Sequence, residues 1–261
     1  KEFVAWLPTL LGLGPSDVVA SPEIAYPTYE VGALIAGCRT APVGAEAALT
    51  WLNSPANPTG RVMSVDELRE VVAFGRRTGS LVVSDECYIE KGWDVEPVSI
   101  LHPSVSDGDH TGLLALHSLS KRSNLAGYRF GFVAGDPAVV ARLLEVRKHA
   151  GMMVPLPVQA AAVAAWSDDE HVRVQRERYT RRRGVLRSAL SAAGFRIDHS
   201  QAGLYLWATR GEPCWDTVNA LADRGILVAP GDFYGPGGNQ HVRVALTASD
   251  AAVELAAQRL A

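Results

Sequence analysis

Three short apolar runs, each broken at its C-terminal end by polar residues, constrain this chain more than any other feature. Leu49-Thr-Trp-Leu52 runs into Asn53-Ser-Pro-Ala-Asn57-Pro58-Thr-Gly60, Leu81-Val-Val83 into Ser84-Asp85-Glu86-Cys87-Tyr88, and Leu113-Leu-Ala-Leu116 towards Ser118-Leu-Ser-Lys121. Runs this short, and so rich in apolar residues, read as buried strands. Residues 64–78 lie between the first two and carry helical spacing, opened by Ser64 with Glu67 three positions on, a capping box. Strand, helix and strand in alternation imply an α/β fold: a mostly parallel sheet with helices on both faces and ligands at the carboxyl ends of its strands. Asn57, Asp85 and Lys121 all fall at such ends.

Each of these residues has an ordinary reading when taken alone. Lys121 lies between Leu113–Leu116 and a second apolar run, Phe130–Ala134, both read as core strands. Apolar surroundings disfavour an ammonium, and a neutral amine attacks carbonyls, so the position points to Schiff-base chemistry; a solvated loop lysine is the plain alternative. Asp85 is either a cap or turn residue or a functional carboxylate. Two Asn and two Pro in residues 53–58 fix the backbone, make Asn57-Pro58 a candidate cis peptide and let Asn57 aim its amide into a cleft, although a simple turn needs no more than this. Tyr26, set between Pro22 and Pro27 after a strand at 18–20, is a core tyrosine or a face for stacking a planar ligand. Arg243, inside a strand at 241–245, points away from Val242 and Val244. It is either an exposed edge residue or a buried fork for a carboxylate.

Further helices are expected at 3–12, 28–37, 136–149 and 157–166, with a long polar helix over 168–193. Short strands (203–207, 227–229, 241–245) then alternate with helices at 215–224 and 250–260. This divides the chain into a large domain, residues 1–167, and a smaller α+β domain, residues 168–261, that begins with the long helix. With 48% hydrophobic and 20% charged residues, the composition is that of an ordinary globular enzyme. A net charge of −3 gives no reason to expect nucleic acid or an anionic membrane as partner. Arg181-Arg-Arg183 reads as one solvated helix face, and Asp107-Gly-Asp-His110 as a solvated turn. The three cysteines, Cys38, Cys87 and Cys214, are odd in number and widely spaced, which suggests neither a disulfide framework nor a zinc motif and makes a reducing cytoplasm the expected compartment. A dinucleotide-binding dehydrogenase is disfavoured by the lack of a Gly-x-Gly-x-x-Gly turn after the first strand.

The ordered set Tyr26-Pro27, Asn57-Pro58-Thr59-Gly60, Asp85-Glu86-Cys87-Tyr88, Ser118-Leu-Ser-Lys121 with Arg129 eight residues on, Pro230-Gly231 and Arg243 resembles the fold type I, pyridoxal-phosphate-dependent aminotransferases of class I/II. The resemblance covers essentially the whole chain. It implies that Lys121 holds pyridoxal 5'-phosphate as a Schiff base and shuttles the substrate's α-proton. It implies further that Asp85 pairs with the protonated pyridine nitrogen, and that Asn57 and Tyr88 bond the ring's phenolic oxygen. Tyr26 would stack on the ring, Ser118 and Arg129 would bind the phosphate, and Arg243 would take the substrate's α-carboxylate, with Asn57 beside it. The implied partners are small amino acid and 2-oxo acid substrates and a second copy of the chain in a homodimer.

The strings Trp51–Arg61, His117–Arg129 and Lys148–Pro155 are similar to those of actinobacterial-type succinyldiaminopimelate transaminases, which exchange an amino group between glutamate and N-succinyl-2-amino-6-oxopimelate in lysine biosynthesis. Other amino-acid specificities, a carbon–sulfur β-lyase and a non-catalytic sensor module are compatible with the same scaffold. The chain departs from the family at its start. Lys1-Glu-Phe-Val opens directly in a helical pattern where the family's phosphate-binding turn should already have passed, so an incomplete N-terminal part is expected.

Overall fold

A computed structural model describes residues 1–261. Its helices are α1 (Glu2–Leu10), α2 (Thr28–Ala36), α3 (Val65–Thr78), α4 (Pro103–Ser106), α5 (Leu119–Arg122), α6 (Pro137–His149), α7 (Leu156–Trp166), α8 (Glu170–Ala192), α9 (Cys214–Ala222) and α10 (Asp250–Leu260). The strands are β1 (Val18–Ser21), β2 (Arg39–Pro42), β3 (Leu49–Asn53), β4 (Leu81–Asp85), β5 (Leu113–Ser118), β6 (Gly131–Gly135), β7 (Arg196–Asp198), β8 (Tyr205–Thr209), β9 (Ala229–Pro230) and β10 (Val242–Ala245). None of the helices is long and apolar enough to cross a membrane.

The larger sheet has the order β2-β1-β3-β4-β5-β6, parallel throughout except that β6 runs antiparallel to β5. Alternate residues of its central strands enter two separate cores, as the period of two requires. Leu49, Trp51, Val83, Leu114 and Leu116 pack against Val4, Leu7 and Leu10 of α1, Tyr29 and Ala33 of α2 and Leu143 of α6. Leu52, Val82, Leu113 and Ala115 pack against Leu68 and Val72 of α3 and Val105 of α4. Because both faces are covered, β3 is buried along its whole length, and the strand reads in the sequence as a continuous apolar run rather than an alternating one.

Local signals fix the ends of several helices. The Ser64 hydroxyl accepts from Glu67 N–H while Glu67 Oε2 accepts from Ser64 N–H at 2.8 Å, the expected capping box, and α3 stops at Gly79 in the left-handed region, where a Cβ would be strained. Asp136 caps α6, accepting from Ala138 and Val139 N–H, and also accepts from Gly112 N–H, so one carboxylate joins the helix to the turn before β5. Asn57-Pro58 is cis as anticipated, and so is Ser54-Pro55.

The second sheet is antiparallel in the order β7-β8-β10-β9. On it lie α8, whose buried stripe is Val172, Tyr179, Leu186 and Leu190, and α10. Tyr88, from the end of β4, joins this core and so ties the two sheets together.

Some expectations require correction. Phe130–Ala134 is not a core strand: β6 is the edge of its sheet with a neighbour on one side only, and Gly131 and Phe132 are exposed. Lys121 therefore sits on the short helix α5 after a buried strand and before an open one. The triplet Arg181–Arg183 is not a uniformly solvated face. Arg181 is exposed, but Arg182 pairs with Asp250, and Arg183 pairs with Asp94 and donates to Ser200 O at 2.9 Å, because α8 turns that side towards its neighbours. Strands β2 and β7 were not foreseen; both are short, polar and poorly buried.

Candidate active site

The turn after β3 reaches β10 of the second sheet through Asn57 and Arg243, and the segment after β4 reaches β8 through Tyr88 and Tyr205. Asp85 lies at the end of β4, 7% exposed. Its Oδ2 accepts from Tyr29 Oη–H at 2.9 Å, its Oδ1 accepts from Cys87 N–H at 3.2 Å, and its backbone carbonyl accepts from Asn53 Nδ2 at 2.8 Å. Tyr29 is almost wholly buried and stacks on Trp51 with ring centroids 5.0 Å apart. Burial, reinforced by the Asp85 carboxylate, pushes the Tyr29 phenol well above its ordinary range, so it stays a donor. The same two causes push the Cys87 thiol up, leaving it neutral beside the carboxylate.

Asn53 organises the turn that follows β3. Its Oδ1 accepts from Asn57 N–H at 2.7 Å, and its Nδ2 donates to Pro55 O as well as to Asp85 O. The register explains this reach, since Asn53 and Asp85 are direct partners across β3 and β4. Asn57, 7% exposed, is thereby set facing the second sheet, where Arg243 Nη1 donates to its Oδ1 at 3.0 Å.

Arg243 is half-buried on an inner strand, which removes the edge-residue alternative. Its guanidinium carbon lies 3.9 Å from the Tyr205 ring centroid and 5.1 Å from that of Tyr234, and its Nε is buried without a hydrogen-bond partner. A desolvated guanidinium with free donors, held over aromatic faces, is a fork for a planar anion such as a carboxylate.

Tyr88 is buried, and its hydroxyl shares a 2.9 Å hydrogen bond with the Tyr205 hydroxyl. Burial first, then the neighbouring Tyr205, holds the Tyr88 phenol well above its ordinary range. The Lys121 ammonium lies 5.7 Å from the Tyr88 ring centroid and makes no ion pair. Ser118 caps α5, accepting from Ser120 N–H while donating to Phe130 O. Arg129 is exposed in the left-handed region at φ 54°, with Nη1 donating to Ala126 O at 2.6 Å. Tyr26 is half-buried, meets Tyr29 edge-on at 5.8 Å and carries the Lys1 ammonium 5.6 Å from its ring centroid.

The sequence did not single out Tyr29, Asn53, Tyr205 or Tyr234. Tyr29 had a signal, because three positions after Tyr26 it returns to the same side of the first turn of α2. Tyr205 had one too: Trp207 is the cross-strand partner of Arg243, and period-two alternation puts Tyr205 on that same face. Glu86 was quoted only as a neighbour of Asp85. Its carboxylate is wholly buried: Oε1 accepts from Ile100 N–H at 2.8 Å, and Oε2 lies 3.3 Å from His117 Nε2 of β5 without a hydrogen bond.

Known proteins are similar to this chain in sequence and fold. The sequence profile described as "Aminotransferase class I and II" matches residues 1–260. The Mycobacterium tuberculosis protein named "Probable aminotransferase" is 67% identical over the whole chain, which spans 64% of that relative's length. The 4-dedimethylamino-4-oxo-anhydrotetracycline transaminase of Streptomyces rimosus is 61% identical over the whole chain, which spans 74% of it. Among solved structures, one titled as a probable N-succinyldiaminopimelate aminotransferase of Thermus thermophilus superposes with a TM-score of 0.86 at 29% identity, over 99% of this chain and 73% of that one.

Proposed function

The chain belongs to the class I and II aminotransferases, and from that premise we propose that it transfers an amino group between L-glutamate and an oxo-acid acceptor, with N-succinyl-2-amino-6-oxopimelate as that acceptor. The family and fold imply pyridoxal 5'-phosphate, which when bound supplies an electron sink for deprotonation at the substrate's α-carbon.

The residues present fit that group. A protonated pyridine nitrogen needs a buried carboxylate, and Asp85 is one, its two oxygens held in place by Tyr29 Oη–H and Cys87 N–H. A carbonyl carbon needs a free amine, and Lys121 is unpaired. Asn57 and Tyr88 offer an amide and a phenol that would bond the ring oxygen, Ser118 and Arg129 would bind the phosphate, and Tyr26 would flank the ring. Arg243 would grip the α-carboxylate through two parallel N–H donors, orienting the α-C–H bond so that Lys121 Nζ can take its proton. The observation that carries the reading is the convergence of Asp85, Asn57 and Arg243 across two sheets, linked by the Arg243 to Asn57 bond.

A second acceptor class is favoured by one cleft. About 600 Å³ in volume, it lies between the turn after β1 and residues 232–236. Tyr26, Tyr29, Phe233 and Tyr234 form part of its walls, and its charged residues are Glu23, Glu30 and Asp232 with no basic side chain among them. Its aromatic walls suit a planar uncharged ring better than a second carboxylate. The name of the Streptomyces relative specifies such a ring compound.

The test is an assay of L-glutamate against a panel containing the succinylated dicarboxylate and planar cyclic ketones. Formation of 2-oxoglutarate stoichiometric with aminated acceptor is expected. With a thioether amino acid in place of glutamate, release of pyruvate, ammonia and a thiol without an oxo-acid acceptor would instead identify a lyase, and cofactor binding with no turnover of either donor a sensor module. Homodimerisation is part of the proposal: Val31, Leu34 and Ile35 of α2 and Leu156 and Val163 of α7 are exposed apolar residues suited to an interface. Sedimentation at twice the mass of the protein's single chain is the expected result.

A further inference from the structure

Resting on the aminotransferase reading, we propose that Tyr205 is a positioning residue that joins the carboxylate-binding arginine to the cofactor-side tyrosine. One side chain meets both. The face of the Tyr205 ring lies 3.9 Å from the Arg243 guanidinium carbon, and its hydroxyl lies 2.9 Å from the Tyr88 hydroxyl. Tyr205 is 8% exposed and Tyr88 5%, so neither hydroxyl has ready access to solvent as an alternative partner.

The two functions are chemically separable. The ring face supports the guanidinium by a cation–π contact, keeping the planar fork at one tilt. The hydroxyl fixes the direction of a hydrogen bond. When Tyr205 Oη–H donates to Tyr88 Oη, the Tyr88 proton is left free to point elsewhere, and a phenol that accepts a bond becomes a stronger donor through its own O–H. Tyr88 is then a directed donor towards the ring oxygen of the cofactor. The other titratable groups around Tyr88 are Asp85, Cys87 and Lys121, and those around Tyr205 are Arg243 and Tyr234. None of them offers the Tyr88 oxygen a hydrogen bond. Tyr205 is its sole hydrogen-bonding partner and therefore sets which way it donates.

The experiment compares Tyr205→Phe, which keeps the ring and loses the hydroxyl, with Tyr205→Leu, which loses both. Three quantities are read: the pH at which the visible absorption band of the bound cofactor shifts, KM against kcat for the amino donor, and calorimetric binding of succinate to the cofactor-free protein. Tyr205→Phe is expected to move the spectral transition to higher pH and lower kcat by about 5-fold, the scale of one hydrogen bond, while leaving KM and succinate affinity within about 2-fold of wild type. Tyr205→Leu is expected to add a loss of roughly 3- to 5-fold in both, the scale of an exposed-to-buried cation–π contact. Tyr88→Phe combined with Tyr205→Phe should show the same spectral transition as Tyr88→Phe alone.

An unshifted transition in Tyr205→Phe, or equal losses of carboxylate binding in the two Tyr205 variants, would overturn the proposal. Wild-type protein that shows no lysine-bound cofactor band would instead overturn the aminotransferase reading, so the two failures are distinguishable. Because Phe fills the same space as Tyr, a folded Tyr205→Phe protein keeps the test decisive even where Tyr205→Leu fails to fold.

Discussion

The two sides of the candidate site are built by opposite means. Around Asp85 the backbone is the end of a central strand and the carboxylate is buried, and each of its oxygens already has a fixed donor in Tyr29 or Cys87 N–H. Along the limb from Lys121 to Arg129 the helices are single turns, β6 is an open edge, and Arg129 reaches only its own loop. A pre-ordered dipole pays its reorganisation during folding, whereas a mobile arm reorganises when a ligand arrives. The Asp85 side is therefore suited to setting reactivity, and the arginine limb to holding an anion that supplies its own order.

Substitutions on the two sides should separate these roles. Asp85→Ala is expected to cost most, about 3 kcal/mol of transition-state stabilisation, or on the order of 100-fold in kcat, with little loss of melting temperature. Unchanged turnover would refute Asp85 as the ring-nitrogen partner. Arg129→Ala should act in the other column. Cofactor affinity, titrated by absorbance, is expected to fall by about 10-fold, on the scale of a charge-assisted bond, while kcat at saturating cofactor stays close to wild type; a fall in kcat with intact affinity would contradict the division of labour. Tyr29→Phe removes one donor from Asp85 Oδ2 and should lower kcat by roughly 5-fold, worth about 1 kcal/mol.

Asp136, far from the chemistry, serves as the control. Hydrogen bonds from Gly112 N–H first, then from Val139 and Ala138, hold its carboxyl below the usual carboxylate range. A depressed pKa contributes stability that is complete above the unfolded value near 4 and is lost as pH falls below it. Asp136→Ala should therefore lower stability by about 1 kcal/mol at neutral pH, and flatten the acid limb of the denaturation curve, without altering kcat.

The layered scaffold was legible because its signals are local. The buried runs of β3, β4 and β5, the capping box at Ser64 and the punctuation of the Asn53–Gly60 turn each name their own structure within a few residues. Asn57, Asp85 and Lys121 could be picked out from the same signals, since strand ends are where an α/β sheet presents side chains. What was not legible depends on distant pairing. Nothing near Phe130 says that β6 is an edge; that is decided by which strand fails to sit beside it. Arg182 and Arg183 look solvated until α8 is laid against Asp94 and Asp250. Tyr29 and Tyr205 are aromatic residues in apolar surroundings, and their roles emerge only when Asp85 and Arg243 arrive from other parts of the chain.

Lys121 is proposed as the reactive amine, and Lys91, more deeply buried, is its competitor. Lys91 is 1% exposed, and burial pushes its ammonium pKa down, so on burial alone it is the better candidate for a neutral nucleophile. Its side chain, however, lines a pocket with Glu86, Glu90 and Arg122, Nζ 3.5 Å from Arg122 O, whereas Lys121 Nζ lies over the Tyr88 ring. Borohydride reduction of the cofactor-loaded protein followed by peptide mapping decides between them. The reduced cofactor is expected on the peptide that contains Lys121 and on no other. Label on Lys91, or on no lysine at all, would contradict this assignment.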